Sequence, residues 1–344
     1  MSENMRAAVY IEPGKIENRE IPKPKVNGGE VLIKVARGGI CGSDLHIFDG
    51  KHPRAKPPLV MCHEFVGTVE EIGQPNIKNL KTGERVVANP LLWCGKCLPC
   101  LMGYQHVCHS LNLVGIDRDG GFAEYVVVSA DRVHRISPEI PFEEAALAEP
   151  LAVALHAVRS SNLCVGQNVV VVGAGTIGML VGIVALFSGA QKVWILDINT
   201  WRLEHAKPFG LTPINVQEND PLYIVKKETN DARCDVVFEC SGSNVAYSTI
   251  TSLAATRGEV VFVGIPTQNV PIDICDSIFR EIHTTSVRVY TNEEFGISAN
   301  LLSENKINLR SLVTCCLPLN KLSEGMKIAN NREGWKVLLN PEMG

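Results

Sequence analysis

The run Val169-Val170-Val171-Val172-Gly173-Ala174-Gly175-Thr176-Ile177-Gly178 restricts the fold more than any other part of the chain. Four consecutive valines read as a strand buried on both faces, and the apolar segment from Thr176 to about residue 188 has the length of a helix. Between them lies Gly-x-Gly-x-x-Gly, a pattern that means little in isolation. Here a strand precedes it, a helix follows, and a second apolar strand ends in Asp197, 19 residues after Gly178. In that setting it specifies a βαβ unit built around a dinucleotide. Gly173 permits the tight turn, Gly175 lets the backbone approach the pyrophosphate, and Gly178 lets helix and strand pack closely. Thr176 and Ile177 then form the helix N-terminus, whose positive end meets the phosphate. Asp197 suits the two adenosine ribose hydroxyls and repels a 2′-phosphate, which predicts NAD over NADP. Arg202 can stack on the adenine or weaken that exclusion. A later strand ends in Val263-Gly264-Ile265, an ordinary strand-to-turn step from its sequence alone.

Alternating strands and helices continue after this unit, with strands expected at 236–239 and 259–263 and a helix near 201–209. That alternation implies a doubly wound parallel sheet covered on both faces. From residue 5 to about 151 the character differs. Short β segments such as 31–35, 85–88 and 122–128 are separated by Gly and Pro, which reads as a barrel-like β region. Mixed helices and a last strand at 335–339 follow residue 290. The expectation is therefore an α/β protein whose dinucleotide domain, 152–290, is inserted into a β domain formed by 1–151 and 291–344.

Formal net charge is −4 and no long block of Lys or Arg occurs, so the chain is not expected to bind nucleic acid. Its first residues, MSENMRAAVYIEPG, lack a secretory pattern, and no segment stays apolar for about 18 residues. The expectation is a cytoplasmic protein with no membrane partner. In that compartment the twelve cysteines point to metal ligation and free thiols rather than a disulfide framework.

Cys94, Cys97, Cys100 and Cys108 are spaced by three, three and eight residues. Two intervening residues let a tight turn aim both sulfurs at one ion, and four thiolates close a tetrahedral Zn²⁺ with no position left for substrate. An iron–sulfur cluster can use the same thiolates, but no Cys-Pro follows them. A nucleic-acid-reading zinc ribbon would have two CxxC knuckles in basic surroundings, and neither is present. The reading is a structural zinc.

Further candidate ligands are dispersed: Cys41 in Cys41-Gly-Ser43-Asp44-Leu-His46, the pair His63-Glu64, and Glu149 in Glu149-Pro150-Leu151-Ala152. Together with Asp119-Gly-Gly-Phe-Ala-Glu-Tyr125, Gly67, Gly73 and the four-cysteine lobe, these segments resemble the zinc-containing medium-chain alcohol dehydrogenases over essentially the whole chain. Glu149, and Ser43 with His46, resemble the sorbitol (polyol), sugar-acid and threonine dehydrogenase branch. The resemblance implies a GroES-like catalytic domain beside the Rossmann domain, two zinc ions per chain and NAD. It implies that Cys41 and His63 bind the catalytic zinc, that Glu64 is a third ligand or exchanges with water, and that Glu149 ligates or holds the zinc-bound water. Ser43 and His46 would relay the released proton, and Val263, Gly264 and Ile265 would lie against the nicotinamide. Zinc lowers the pKa of a bound hydroxyl from ~16 to ~7, which is the physical need such a site meets.

One residue departs from the family pattern: Cys62 precedes His63 where Gly is usual. It reads as a tolerated small apolar residue, with crowding of the loop or a third thiol near the metal as the alternatives. The substrate is expected among polyols and sugar acids, with L-threonine as an alternative, near Phe48, Arg54, Phe122, Arg288 and Tyr290. A competing reading is a non-catalytic NAD-binding redox sensor using Cys62 and the spare cysteines Cys164, Cys234, Cys240, Cys275, Cys315 and Cys316. A homodimer or homotetramer is expected, with the apolar run near 260–274 as its edge.

Overall fold

The computed structural model describes residues 3–343, which form two compact units. One comprises the chain up to Glu149 together with the chain from Thr291 onward, and the other is Pro150–Tyr290.

The second unit holds a six-stranded, wholly parallel sheet in the order Thr212–Asn215, Lys192–Asp197, Asn168–Val172, Cys234–Glu239, Ala254–Phe262, His283–Ser286. The chain starts in the middle, winds outward to one side, and then returns to wind outward to the other. The direction of winding reverses between Asn168–Val172 and Cys234–Glu239, where an open sheet of this kind leaves a crevice at its strand C-termini. Val169, Val170 and Val171 are fully buried, each worth about 1.5–3 kcal/mol of transfer free energy. Trp194, Leu196, Ile214, Val225, Val237 and Ile250 pack with Val170 in one cluster. Helix Thr176–Phe187 is buried along Met179, Leu180, Val181, Val184 and Ala185. Asn199 caps helix Thr200–Ala206 by accepting from Arg202 N at 3.1 Å. The sheet's two edges are Thr212–Asn215 and His283–Ser286, so the run near 260–274 expected at an edge supplies the end of an inner strand and the loop after it.

The first unit is predominantly antiparallel. A seven-stranded sheet runs Val133–Arg135, Arg85–Ala88, Glu64–Ile72, Glu30–Gly39, Lys336–Asn340, Val313–Pro318, with Tyr125–Ser129 also pairing with Glu30–Gly39. Its last pair is parallel. The strand at Val313–Pro318 was not expected from the sequence. The remaining strands form a three-stranded sheet of Lys15–Pro22, Asn4–Glu12 and Leu59–Val60, and a two-stranded ribbon, Leu91–Leu92 with Asn112–Leu113. Thr291 starts the return segment with a capping box, Glu294 N to Thr291 Oγ1 at 3.2 Å and Thr291 N to Glu294 Oε2 at 2.9 Å. Among the described residues no helix is long and apolar enough to cross a membrane.

Candidate metal centres and dinucleotide site

Cys94, Cys97, Cys100 and Cys108 converge so that their sulfurs all lie within 4.8 Å of one another. Cys97 Sγ is 3.4 Å from Cys100 Sγ and 3.7 Å from Cys108 Sγ. A tetrahedron of Zn–S bonds has S···S edges of about 3.8 Å. The short helix Leu98–Leu101 and the ribbon pair just outside it bring the last thiol back to the first three. Backbone amides of Lys96 and Cys97 pull the Cys94 thiol down to about 6, toward the thiolate that a metal requires. None of the twelve cysteines is in a disulfide.

A second cluster gathers Cys41, His63 and Glu64, whose ligand atoms also lie within 4.8 Å of one another. Cys41 is the N-cap of helix Gly42–Phe48, and His63 and Glu64 stand at the start of strand Glu64–Ile72. Asp44 ties these segments together. Its carboxylate accepts from Cys41 N at 2.8 Å and from Cys62 N at 3.3 Å, and it is fully buried. Ser43 therefore does not cap the helix. It lies in the first turn, its Oγ 3.4 Å from Cys41 Sγ. His46 is exposed in the last turn. Burial disfavours charge on His63, yet Cys41, Asp44 and Glu149 outweigh it and hold its pKa well above the usual imidazole value. A field that favours a cation this strongly suits a divalent metal, and His63 Nδ1 is buried without a hydrogen-bond partner. Thiol, imidazole and carboxylate make an open zinc donor set. Glu149 lies outside this cluster of three, buried in the first turn of helix Ala148–Arg159.

Lys336 is a feature that sequence reasoning missed. This fully buried lysine donates to Glu64 Oε2 at 2.5 Å and to Ile40 O at 3.2 Å. Burial works against its charge, but Glu64, Cys41 and Glu149 together raise its pKa. A lysine within the otherwise apolar run Val337-Leu338-Leu339 was the available signal. Cys62 explains its own oddity. Its φ is +83°, the left-handed region that favours glycine, and its Sγ lies toward Glu64 O (3.2 Å) and Gly39 O (3.6 Å), outside the ligand cluster. Of the expected substrate-facing residues, Phe122 and Tyr290 are fully buried, Phe48 is half-buried and Arg288 is exposed. Arg54 is already engaged, donating to Leu111 O at 2.5 Å and paired with Asp117 at 3.2 Å.

In the parallel unit, Gly173 has φ +102°, and a Cβ at Gly178 would strike Gly173 O. Gly175 is the N-cap of the helix that Thr176 and Ile177 begin. Asp197 ends its strand beside this turn, accepting from Ala174 N at 2.6 Å and from Ile198 N and Asn199 N at 2.8 and 2.9 Å. Arg202 reaches the same turn, its Nη1 3.8 Å from where a Cβ on Gly175 would sit. Val263 N and Gly264 N both donate to Glu239 O, and Ile265 is exposed. Glu239, itself fully buried, was likewise not singled out from the sequence.

Residues 27–138 match the alcohol dehydrogenase GroES-like domain, and residues 176–304 match the zinc-binding dehydrogenase family. The chain is 36% identical over 339 residues to a 2-dehydro-3-deoxy-L-galactonate 5-dehydrogenase of Pseudoalteromonas atlantica, covering 97% of this chain and 98% of that one. It is 36% identical over 351 residues to an L-threonine 3-dehydrogenase of Bacillus licheniformis, covering 99% and 100%. Among solved structures, a Sinorhizobium meliloti 1021 chain bound to NADP superposes with a TM-score of 0.94 at 29% identity, covering 99% of this chain and 100% of that one. With its two cysteine-containing clusters and its glycine-rich turn, this chain belongs to the zinc-containing medium-chain alcohol dehydrogenases, enzymes that interconvert alcohols and carbonyl compounds with zinc and a nicotinamide dinucleotide.

Proposed function

We propose that the protein oxidises a secondary hydroxyl of a polyol or sugar acid to the ketone, with NAD as hydride acceptor. The observation that carries this reading is the open cluster of Cys41, His63 and Glu64, separate from the closed four-thiol lobe. A purely structural role would not need an open ligand set. Cys41 and His63 would hold the catalytic zinc, with Glu64 or Glu149 completing its shell, while Cys94, Cys97, Cys100 and Cys108 would hold the structural one. Bound zinc supplies the Lewis acidity that makes a hydroxyl acidic near neutral pH, and bound NAD accepts the hydride. Ser43, whose Oγ lies 3.4 Å from Cys41 Sγ, would relay the released proton, and exposed His46 would pass it to solvent. Lys336 donates to Glu64 Oε2 and would compete with zinc for that oxygen. Gly173, Gly175, Thr176, Ile177 and Gly178 would receive the pyrophosphate, Asp197 the adenosine ribose, and Val263, Gly264 and Ile265 the nicotinamide end.

A sugar acid is supported by the Pseudoalteromonas relative, whose name gives a sugar-acid substrate. L-Threonine is the second reading, supported by the Bacillus licheniformis relative. Because Asp117 and Leu111 O occupy Arg54, Arg288 is the better candidate for meeting a substrate carboxylate. Self-association through the edge strand His283–Ser286 would extend the parallel sheet, and exposed Phe279 and Ile278 near it would gain cover.

The test is NAD reduction by metal-quantified protein against hexitols, pentitols, aldonates and L-threonine. Turnover of one class that disappears in Cys41→Ala and His63→Ala is expected. Turnover of none, with NADH binding intact, overturns the reading in favour of a non-catalytic NAD-binding protein. A higher kcat/KM with NADP than with NAD overturns the cofactor assignment.

A further inference from the structure

Glu239 ends the first strand beyond the point where the sheet's winding reverses, and it is fully buried. Burying an acid costs free energy unless donors converge on it. Here they do. Glu239 Oε1 accepts from Ser241 N at 2.9 Å, from Ser241 Oγ and from Gly242 N at 3.1 Å, while Oε2 accepts from Gly242 N at 3.1 Å. Its backbone oxygen accepts from Val263 N at 2.9 Å and Gly264 N at 2.8 Å. Tyr247 Oη donates to Gly264 O at 2.6 Å, and the Tyr247 ring stacks on Phe262 with centroids 5.3 Å apart. The fit is close: a Cβ at Gly264 would lie 2.5 Å from Glu239 Oε2, and a Cβ at Gly242 would lie 2.8 Å from Ile265 O. One residue thus fixes two turns, 240–242 and 263–265, at the C-terminal ends of adjacent strands. The first of these turns also borders the phosphate loop, since a Cβ at Gly173 would come within 3.0 Å of Ser241.

A dinucleotide lying across the reversal point has its adenosine on the side of Asp197, so its other half crosses toward strands Cys234–Glu239 and Ala254–Phe262. We propose that Glu239, assisted by Tyr247, is a positioning residue for the nicotinamide half of the cofactor, holding both turns in the shape that half docks against. The inference rests on the cofactor site assigned above. A Gln at 239 would keep the size of the side chain but replace one acceptor with a donor facing Gly242 N. The side chain's hold on turn 240–242 and its close packing against Gly264 would then weaken, while the backbone bonds from Val263 N and Gly264 N to Glu239 O, the phosphate loop and Asp197 kept theirs.

The experiment compares NADH with ADP-ribose, which lacks only the nicotinamide, in binding to the intact parent protein, Glu239→Gln and Tyr247→Phe. Binding is followed by fluorescence for NADH and by calorimetry for ADP-ribose. Glu239→Gln is expected to weaken NADH about tenfold while ADP-ribose stays within about twofold, and Tyr247→Phe to weaken NADH alone by about threefold. Equal losses for both ligands, or no loss for either, overturn the proposal, since a general loss of structure does not distinguish them. If Glu239→Gln does not fold, Tyr247→Phe decides by the same comparison. Parent protein that binds neither ligand overturns the cofactor site itself, and this proposal with it.

Discussion

Cys62 shows how a single backbone angle can matter more than side-chain type. The sequence shows a thiol beside a candidate ligand histidine, which invites a reading as ligand or redox group, yet the sulfur lies toward two carbonyl oxygens and the strain is in φ, at +83°. An L-residue in that region costs roughly 1–2 kcal/mol, whereas glycine carries only its extra unfolded-state entropy, about 0.5–1 kcal/mol. Cys62→Ala keeps the strain and loses the sulfur contacts; Cys62→Gly loses the contacts and the strain together. Urea unfolding should therefore find Cys62→Gly more stable than Cys62→Ala by about 1 kcal/mol. An alanine variant as stable as the glycine variant would show that the backbone there is unstrained. The departure from family pattern was legible in the sequence, but its physical content was a torsion angle, which no residue identity states. Lys336 was hidden for a related reason: its partner Glu64 is 272 residues away, and only the pairing of strand Glu30–Gly39 with both Lys336–Asn340 and Glu64–Ile72 brings the two close.

At the scale of elements, helix Asn292–Ser303 packs on strand Val133–Arg135 through His134, whose ring lies 5.3 Å from that of Phe295. Burial, with Lys78 adding to it, pushes the His134 pKa down to about 4, against weaker upward pulls from Asn292 and Asp131. The folded state therefore keeps this imidazole neutral while the unfolded chain takes up a proton near 6.5. Stability from this group is fully present above about pH 6.5, declines as pH falls, and is lost below about 4, a span of about 3 kcal/mol at most. Chemical denaturation across this range should show a shallower acid-side decline for His134→Gln than for the parent. Parallel profiles would mean that His134 protonates equally easily in both states. A continuous apolar run of helical length behind the glycine turn made the helix over 176–187 readable, and short apolar runs made the strands around it readable. The strand Val313–Pro318 was missed because its residues are only half-buried at a sheet edge and carry no clear alternation.

For the whole molecule, two donor clusters predict two zinc ions with separable consequences. Cys97→Ser should lower bound zinc from two per chain to one and leave the 94–108 segment without its organising ion, since such lobes draw much of their folding free energy from the metal. Exposed Lys96 then becomes a site of tryptic cleavage. Cys41→Ser should also lose one zinc, and with it NAD reduction, but without new cleavage at Lys96. Metal analysis that still finds two ions in Cys97→Ser would remove the lobe from the metal sites.

By itself the sequence determined those features that depend on neighbours along the chain: the strand, glycine turn and helix at 169–187, the CxxC spacing, and the acid at the end of the next strand. Each is a short-range pattern, because a tight turn, a helix dipole and two thiols on one ion all act within a few residues. Tertiary structure alone decided which dispersed groups meet. Asp44 joining Cys41 to Cys62, Lys336 claiming Glu64, Asp117 claiming Arg54, and Glu239 fastening two turns all depend on strand order and register, which side-chain packing fixes over the whole sheet. A buried charge finds its partner only when the fold brings the two together, and that pairing is written in no single segment.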